Sequence, residues 1–77
     1  MANALYRKLP SGDWMNQANP GGPSYFRVSF NLSDSLWYVQ FTYDGLTWFQ
    51  HANPQPTAAQ MQAALDTYVG NLNAGTA

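Results

Sequence analysis

Between Tyr25 and His51 three consecutive segments read as strands, the first alternating apolar and polar side chains with period two, and this points to an antiparallel sheet with one apolar face. In Tyr25–Leu32, the residues Phe26, Val28, Phe30 and Leu32 alternate with Tyr25, Arg27, Ser29 and Asn31. In Leu36–Tyr43, the residues Trp37, Val39, Phe41 and Tyr43 alternate with Leu36, Tyr38, Gln40 and Thr42. Asp44-Gly45 follows, a pair suited to a tight hairpin because both residues tolerate positive φ. Leu46–His51 completes a three-strand meander.

Parity then sets an expected register. A two-residue turn at Asp44-Gly45 pairs Tyr43 with Leu46, Phe41 with Trp48 and Val39 with Gln50. One face then holds Trp37, Val39, Phe41, Tyr43, Leu46 and Trp48. The preceding strand offers its Phe/Val row to that face with Leu32 opposite Trp37, across an even connection of two or four residues. An odd connection would turn every Phe outward.

The flanking segments are shorter. Ala4–Leu9 and Trp14–Gln17 read as a hairpin around Pro10-Ser11-Gly12-Asp13, with Leu9 opposite Trp14. Asn19-Pro20-Gly21-Gly22-Pro23 excludes regular structure. Pro54 and Pro56 end the last strand, and Thr57-Ala58-Ala59-Gln60 is a capping box. Met61, Ala64, Leu65, Tyr68 and Leu72 recur at three- and four-residue steps and mark one helical stripe. Gly70 is expected to end the helix or weaken its last turns, which leaves 71–77 as a tail. The expected class is α+β: a single small domain over 1–77. It has an antiparallel meander (strands about 4–9, 14–17, 25–32, 36–43 and 46–51), with one C-terminal helix (about 58–70) packed on one face.

Composition narrows the function. The 77 residues include three Lys/Arg and four Asp, for a net charge of −1, and no Cys, Glu or Ile. Charged residues make up 9%, against roughly 25% in an average domain. That charge pattern gives no basic patch for tracking phosphates, so no nucleic-acid partner is expected. No apolar run is long enough to span a bilayer, and no charged-then-apolar leader opens the sequence. No membrane partner is expected either. A chain this short buries only about 60% of its unfolded surface, so its stability as an isolated unit is marginal. Aromatics at 16% with seven Asn and six Gln describe a folded chain whose surface resists association weakly.

Catalysis, metal binding and cofactors find little support. His51 is the sole histidine, expected at the end of the last strand opposite Tyr38. Asp44 is explained by the turn and Asp66 lies on the helix. No nucleophile elbow, metal-ligand cluster or phosphate-cradling glycine loop is present. We therefore expect no catalytic residue, no metal and no cofactor. Asn31-Leu32-Ser33 matches a glycosylation sequon and is read as coincidental.

The face turned away from the helix carries the candidate interface or ligand residues: Tyr25, Arg27, Tyr38, Gln40, Phe49 and His51, with Asn31 beside them. Rings with interleaved amides stack on sugars, and the same set anchors a protein partner. The competing reading is that the N-terminal hairpin folds over this face and makes it a second packed layer.

Two local resemblances bear on these alternatives. Thr42-Tyr43-Asp44-Gly45-Leu46-Thr47-Trp48 resembles the aspartate-box hairpins of sialidase-type propellers and the D-G-x-x-W hairpin of discoidin-type sugar-binding sandwiches. It departs from the former because Gly45 directly follows Asp44. In both families the motif fixes a turn, so it implies no activity. Thr57–Leu65 (TAAQMQAAL) is similar to a helix phrase of structural proteins of tailed bacteriophages. That resemblance implies a non-enzymatic virion component (capsid decoration, neck or tail) that contacts copies of itself or other virion proteins. Its expected location is the virion, or the host cytoplasm during assembly. The alternative is a small carbohydrate-binding module using Tyr25, Tyr38, Phe49 and Trp14.

Overall fold

The computed structural model describes residues 5–17, 21–51 and 53–75. The sequence expectations for Ala4, for Asn19-Pro20 and for 76–77 fall outside these. Among the described residues five strands, β1 (Tyr6–Lys8), β2 (Trp14–Asn16), β3 (Tyr25–Asn31), β4 (Leu36–Thr42) and β5 (Trp48–Gln50), precede one helix, α1 (Ala58–Ala74). The strands form one antiparallel sheet in the order β1-β2-β3-β4-β5, an α+β meander. The first hairpin thus extends the main sheet through β2 and β3, with Trp14 opposite Phe26. It does not fold over the outer face.

The β3–β4 pairing keeps the expected parity with a shift of two residues. Phe30, not Leu32, lies opposite Trp37, and residues 32–35 form the connection. Asn31 and Asp34 side chains accept the N–H groups of Ser33 and Leu36, which turns the chain sooner than the apolar pattern indicates. Leu32 is left in the loop, exposed.

Two hairpins depart from the expected parity. In the first, Lys8 rather than Leu9 lies opposite Trp14, because Leu9 closes the loop by pairing its N–H with the Asp13 carbonyl. In the last, Phe41 lies opposite Phe49 and Thr42 opposite Trp48. The connection is residues 43–47 and not a two-residue turn. Asp44 Oδ1 accepts the backbone N–H groups of Leu46 and Thr47, both at 2.8 Å, and the Thr42 hydroxyl at 3.1 Å. Gly45, at φ 81°, donates its N–H to Thr42 Oγ1. This side-chain-centred turn consumes an odd number of residues, so every β5 side chain lies on the opposite face from the one expected.

The helix starts at the capping box: Thr57 Oγ1 accepts the Gln60 N–H at 3.2 Å. It runs past Gly70, whose Cβ position is open space, and ends on Gly75, at φ 76°. Residues 71–74 are therefore helical and not a tail. Asn73 has a specific task. Its carbonyl oxygen accepts the Tyr6 N–H at 2.8 Å and its amide donates to the Tyr6 carbonyl at 3.2 Å. The side chain thus pairs both backbone groups of Tyr6 as a neighbouring strand would. Asn73→Ala is expected to cost about 1–2 kcal/mol, read as a lower urea midpoint with an unchanged slope.

Helix and sheet bury Tyr6, Phe26, Val39, Met61, Leu65 and Val69. The buried stripe includes Val69 and turns Tyr68 to the flank. The polar ties of the helix explain the rotation. Asp66 Oδ1 accepts Trp14 Nε1 at 2.9 Å, Asp66 Oδ2 accepts Lys8 Nζ at 2.7 Å, and Gln62 Nε2 donates to the Gly12 carbonyl at 2.8 Å. With Asn73 on Tyr6, these bonds draw α1 toward the first hairpin. One helix, about 10 Å across, covers two or three strands spaced about 4.8 Å apart. Part of the apolar face at β4 and β5 therefore stays uncovered.

Candidate functional site

The uncovered part is an aromatic surface that the sequence pattern assigned partly to the core and partly to the opposite face. Phe41 and Phe49 stack, with centroids 5.7 Å apart and planes at 27°. Tyr43 stands edge-on to both, at 6.0 and 6.2 Å. Tyr68, from the helix flank, faces His51 at 5.8 Å, and His51 meets Phe41 at 6.4 Å. Tyr43 is 55% exposed, Phe49 47% and Tyr68 41%. Between this surface and the helix lies an open groove of about 170 Å³, with Val39, Met61, Leu65 and Ala64 as its apolar floor and His51, Gln55 and Tyr68 among its walls. His51 and Tyr68 also border a neighbouring hollow against Pro23, Phe41 and Tyr43.

Of the six residues singled out from sequence, the structure therefore moves two. Phe49 and His51 lie on the helix side, since the five-residue connection reverses the parity of β5. His51 is not opposite Tyr38: its N–H donates to the Val39 carbonyl at 2.8 Å. Tyr25, Arg27, Tyr38 and Gln40 remain on the outer face, joined there by Trp48.

On that outer face most polar groups are engaged within the chain. Arg27 Nε and Nη2 donate to Gln40 Oε1 at 3.0 and 2.8 Å, while the guanidinium carbon stands 3.7 Å above the Trp48 ring centre. This combines a charged fork with cation–π contact. Tyr25 meets the same indole edge-on at 6.0 Å and donates its hydroxyl to Asp13 Oδ2 at 2.8 Å. That bond, then burial and the Asp13 charge, raise the Tyr25 phenol above its ordinary value. Tyr38 donates to Asp34, and this bond likewise holds its phenol high. The outer face is thus a set of rings and amides locked to one another, whereas the helix-side cluster presents ring surface without such cover.

The acidic groups serve the framework. The N–H groups of Thr47 and Leu46 hold the Asp44 carboxyl below the usual range. Burial opposes ionisation of Asp66, but bonds from Lys8, Gln62 and Trp14 outweigh it, and its carboxyl also lies low. Among the described residues no group of three His, Cys, Asp or Glu could hold a metal ion. No helix among them is long and apolar enough to cross a membrane.

No protein-family model, curated protein or solved structure matches the chain. The geometry is therefore the ground for a functional reading.

Sequence reasoning missed Tyr43, Tyr68 and Trp48 as surface residues. For Tyr43 and Trp48 the signal is Asp44 with two following N–H groups in reach, in the same Thr42–Trp48 stretch that resembles the aspartate box, whereas Tyr68 is turned out by the roll of the helix. A side-chain-centred turn there reverses β5 and exposes the cluster.

Proposed function

We propose that this chain is a non-enzymatic assembly subunit that makes protein–protein contacts through the Tyr43/Phe49/Tyr68 surface. The further reading is a small component of a tailed-phage virion, as capsid decoration, neck or tail. The single observation that carries the assembly reading is the exposed aromatic cluster beside the helix, in a domain with 9% charged residues. Aromatic residues are enriched at interface cores and charged ones depleted there. Marginal small domains also gain stability when association removes such surface from water. The virion class rests on the resemblance of Thr57–Leu65 to phage structural helices. The non-enzymatic reading is supported by Asp44 and Asp66, which are each occupied in holding the fold.

A carbohydrate-binding module is the second reading, favoured by the Tyr25–Trp48–Arg27 platform on the open outer face. Sedimentation velocity from micromolar to millimolar concentration separates the two. The assembly reading expects concentration-dependent association that weakens at least about tenfold in the Tyr43→Ser/Tyr68→Ser double variant, since interface rings are typical hot spots. A monomer at every concentration whose tryptophan fluorescence titrates with an oligosaccharide, and ceases to in Trp48→Ala, would replace it with the sugar-binding reading.

A further inference from the structure

The two edges of the sheet are built differently, and the difference points to a partner. On β1 the sequence Tyr6-Arg7-Lys8 places two cations on the edge, and Asn73 occupies both the N–H and the carbonyl of Tyr6. Charge and coverage of this kind are how natural sheets blunt an edge against pairing. On β5 the sequence Trp48-Phe49-Gln50 has neither charge nor proline, and β5 is the last strand in the sheet order.

Hydrogen-bond parity shows which groups β5 offers. The His51 N–H reaches the Val39 carbonyl, and Trp37 exchanges both backbone bonds with Gln55, so the odd-numbered residues of β4 turn their backbone groups toward this side. With Phe41 opposite Phe49, Phe49 bonds inward to β4. The N–H and carbonyl groups of Trp48 and Gln50 then point outward, because an antiparallel ladder alternates its bonds residue by residue.

From this we infer that β5 is a self-association strand, and that a second copy of this chain pairs with it antiparallel about a two-fold axis through Phe49. This inference rests on the assembly reading and specifies its partner. The register follows from the outward groups. Trp48 of one copy exchanges both backbone bonds with Gln50 of the other, twice by symmetry, and the two Phe49 residues form the central non-hydrogen-bonded pair. In such a pair the Cα atoms approach to about 4.5 Å and the side chains meet closely. The two Phe49 rings meet on the helix side, where Tyr43 and Phe41 already flank each of them. Residues Trp48–Gln50 themselves carry no charge.

The area is consistent with a reversible dimer. At about 200 Å² per ring residue, the exposed parts of Tyr43, Phe49 and Tyr68 come to about 300 Å². That supplies an apolar centre for a standard contact of about 800 Å² per partner. Such a contact takes about a sixth of the 4878 Å² surface.

Two variants test the pairing. Gln50→Pro removes an outward donor and spares the bonds to β4. It is expected to raise the dimer dissociation constant at least tenfold in sedimentation equilibrium. Phe49→Cys introduces the sole thiol of a cysteine-free chain at the two-fold, where the expected separation suits a disulfide. In a glutathione buffer it is expected to cross-link into a dimer under conditions that leave Leu46→Cys, exposed but off the axis, monomeric. Cross-linking of Leu46→Cys as fast as Phe49→Cys would overturn the inference. So would a wild-type chain that stays monomeric at millimolar concentration, or a dimer that Gln50→Pro leaves intact. If that surviving dimer dissolves in Tyr43→Ser/Tyr68→Ser, edge pairing fails while the assembly reading stands.

Discussion

Phe26→Ala is expected to leave much of the population unfolded near body temperature. Phe26 is 2% exposed and is the hub of the core, with Tyr6 edge-on at 5.2 Å, Phe41 at 6.1 Å and Tyr68 at 6.0 Å. Truncating a buried Phe costs about 3–5 kcal/mol, from lost transfer energy and from the cavity left behind. At about 0.05–0.15 kcal/mol per residue, a 77-residue domain has about 4–12 kcal/mol in total. Thermal unfolding followed by circular dichroism should show a midpoint lowered by at least about 12 °C, at about 4–8 °C per kcal/mol. Phe26→Leu, which conserves most of the volume, should lose about 1.5 kcal/mol or less. Equal losses for the two variants would show that the ring packing around Phe26 contributes little.

Asp66→Ala should have the next largest effect. One carboxylate ties three elements: Trp14 Nε1 and Gln62 Nε2 donate to Oδ1, and Lys8 Nζ to Oδ2. Its removal leaves the half-buried indole N–H without its acceptor, at a cost of about 2–3 kcal/mol by urea unfolding. Asp66→Asn retains a carbonyl oxygen for Trp14 and gives up the charge pair with Lys8. Both charges are partly exposed, so that change should cost about 1 kcal/mol or less. The pH dependence has a defined sign. The folded carboxyl lies below its ordinary value, so its stabilisation is present above the ordinary carboxylate range. It is lost as pH falls through the depressed folded value. The wild-type midpoint should therefore drop in acid more steeply than that of Asp66→Asn. Parallel acid profiles would show that the charge of Asp66 does not stabilise the fold.

The aromatic surface was only partly legible because apolar alternation shows neither of its two causes. One is the Asp44 turn. Asp-Gly promises a two-residue hairpin, but Thr42, Leu46 and Thr47 all lie within reach of one carboxylate, and satisfying them lengthens the connection. The connection grows from two residues to five, and this odd increment transfers Phe49 and His51 to one face and Trp48 to the other. The second cause is the roll of the helix. A stripe of Met61, Leu65 and Tyr68 has nearly the same apolar period as one of Met61, Leu65 and Val69. Bonds from Asp66, Gln62 and Asn73 to residues more than 45 positions away choose between them. Tyr68 is thereby turned out of the core and toward His51.

The meander, the common face of Phe26, Val28 and Phe30 (with Phe30 left exposed beyond the core) and the Thr57 cap were written in local pattern, because alternation and capping depend on neighbours in the chain. The helix end at Gly75 rather than Gly70, the place of the first hairpin beside β3 and the face taken by β5 were settled only on folding. Each depends on a polar side chain finding its partner: Asn73 on Tyr6, Tyr25 on Asp13, and Asp44 on the N–H groups of its own loop. Apolar periodicity specifies which side of an element is buried. Directional hydrogen bonds specify where that element stops and which neighbour it faces.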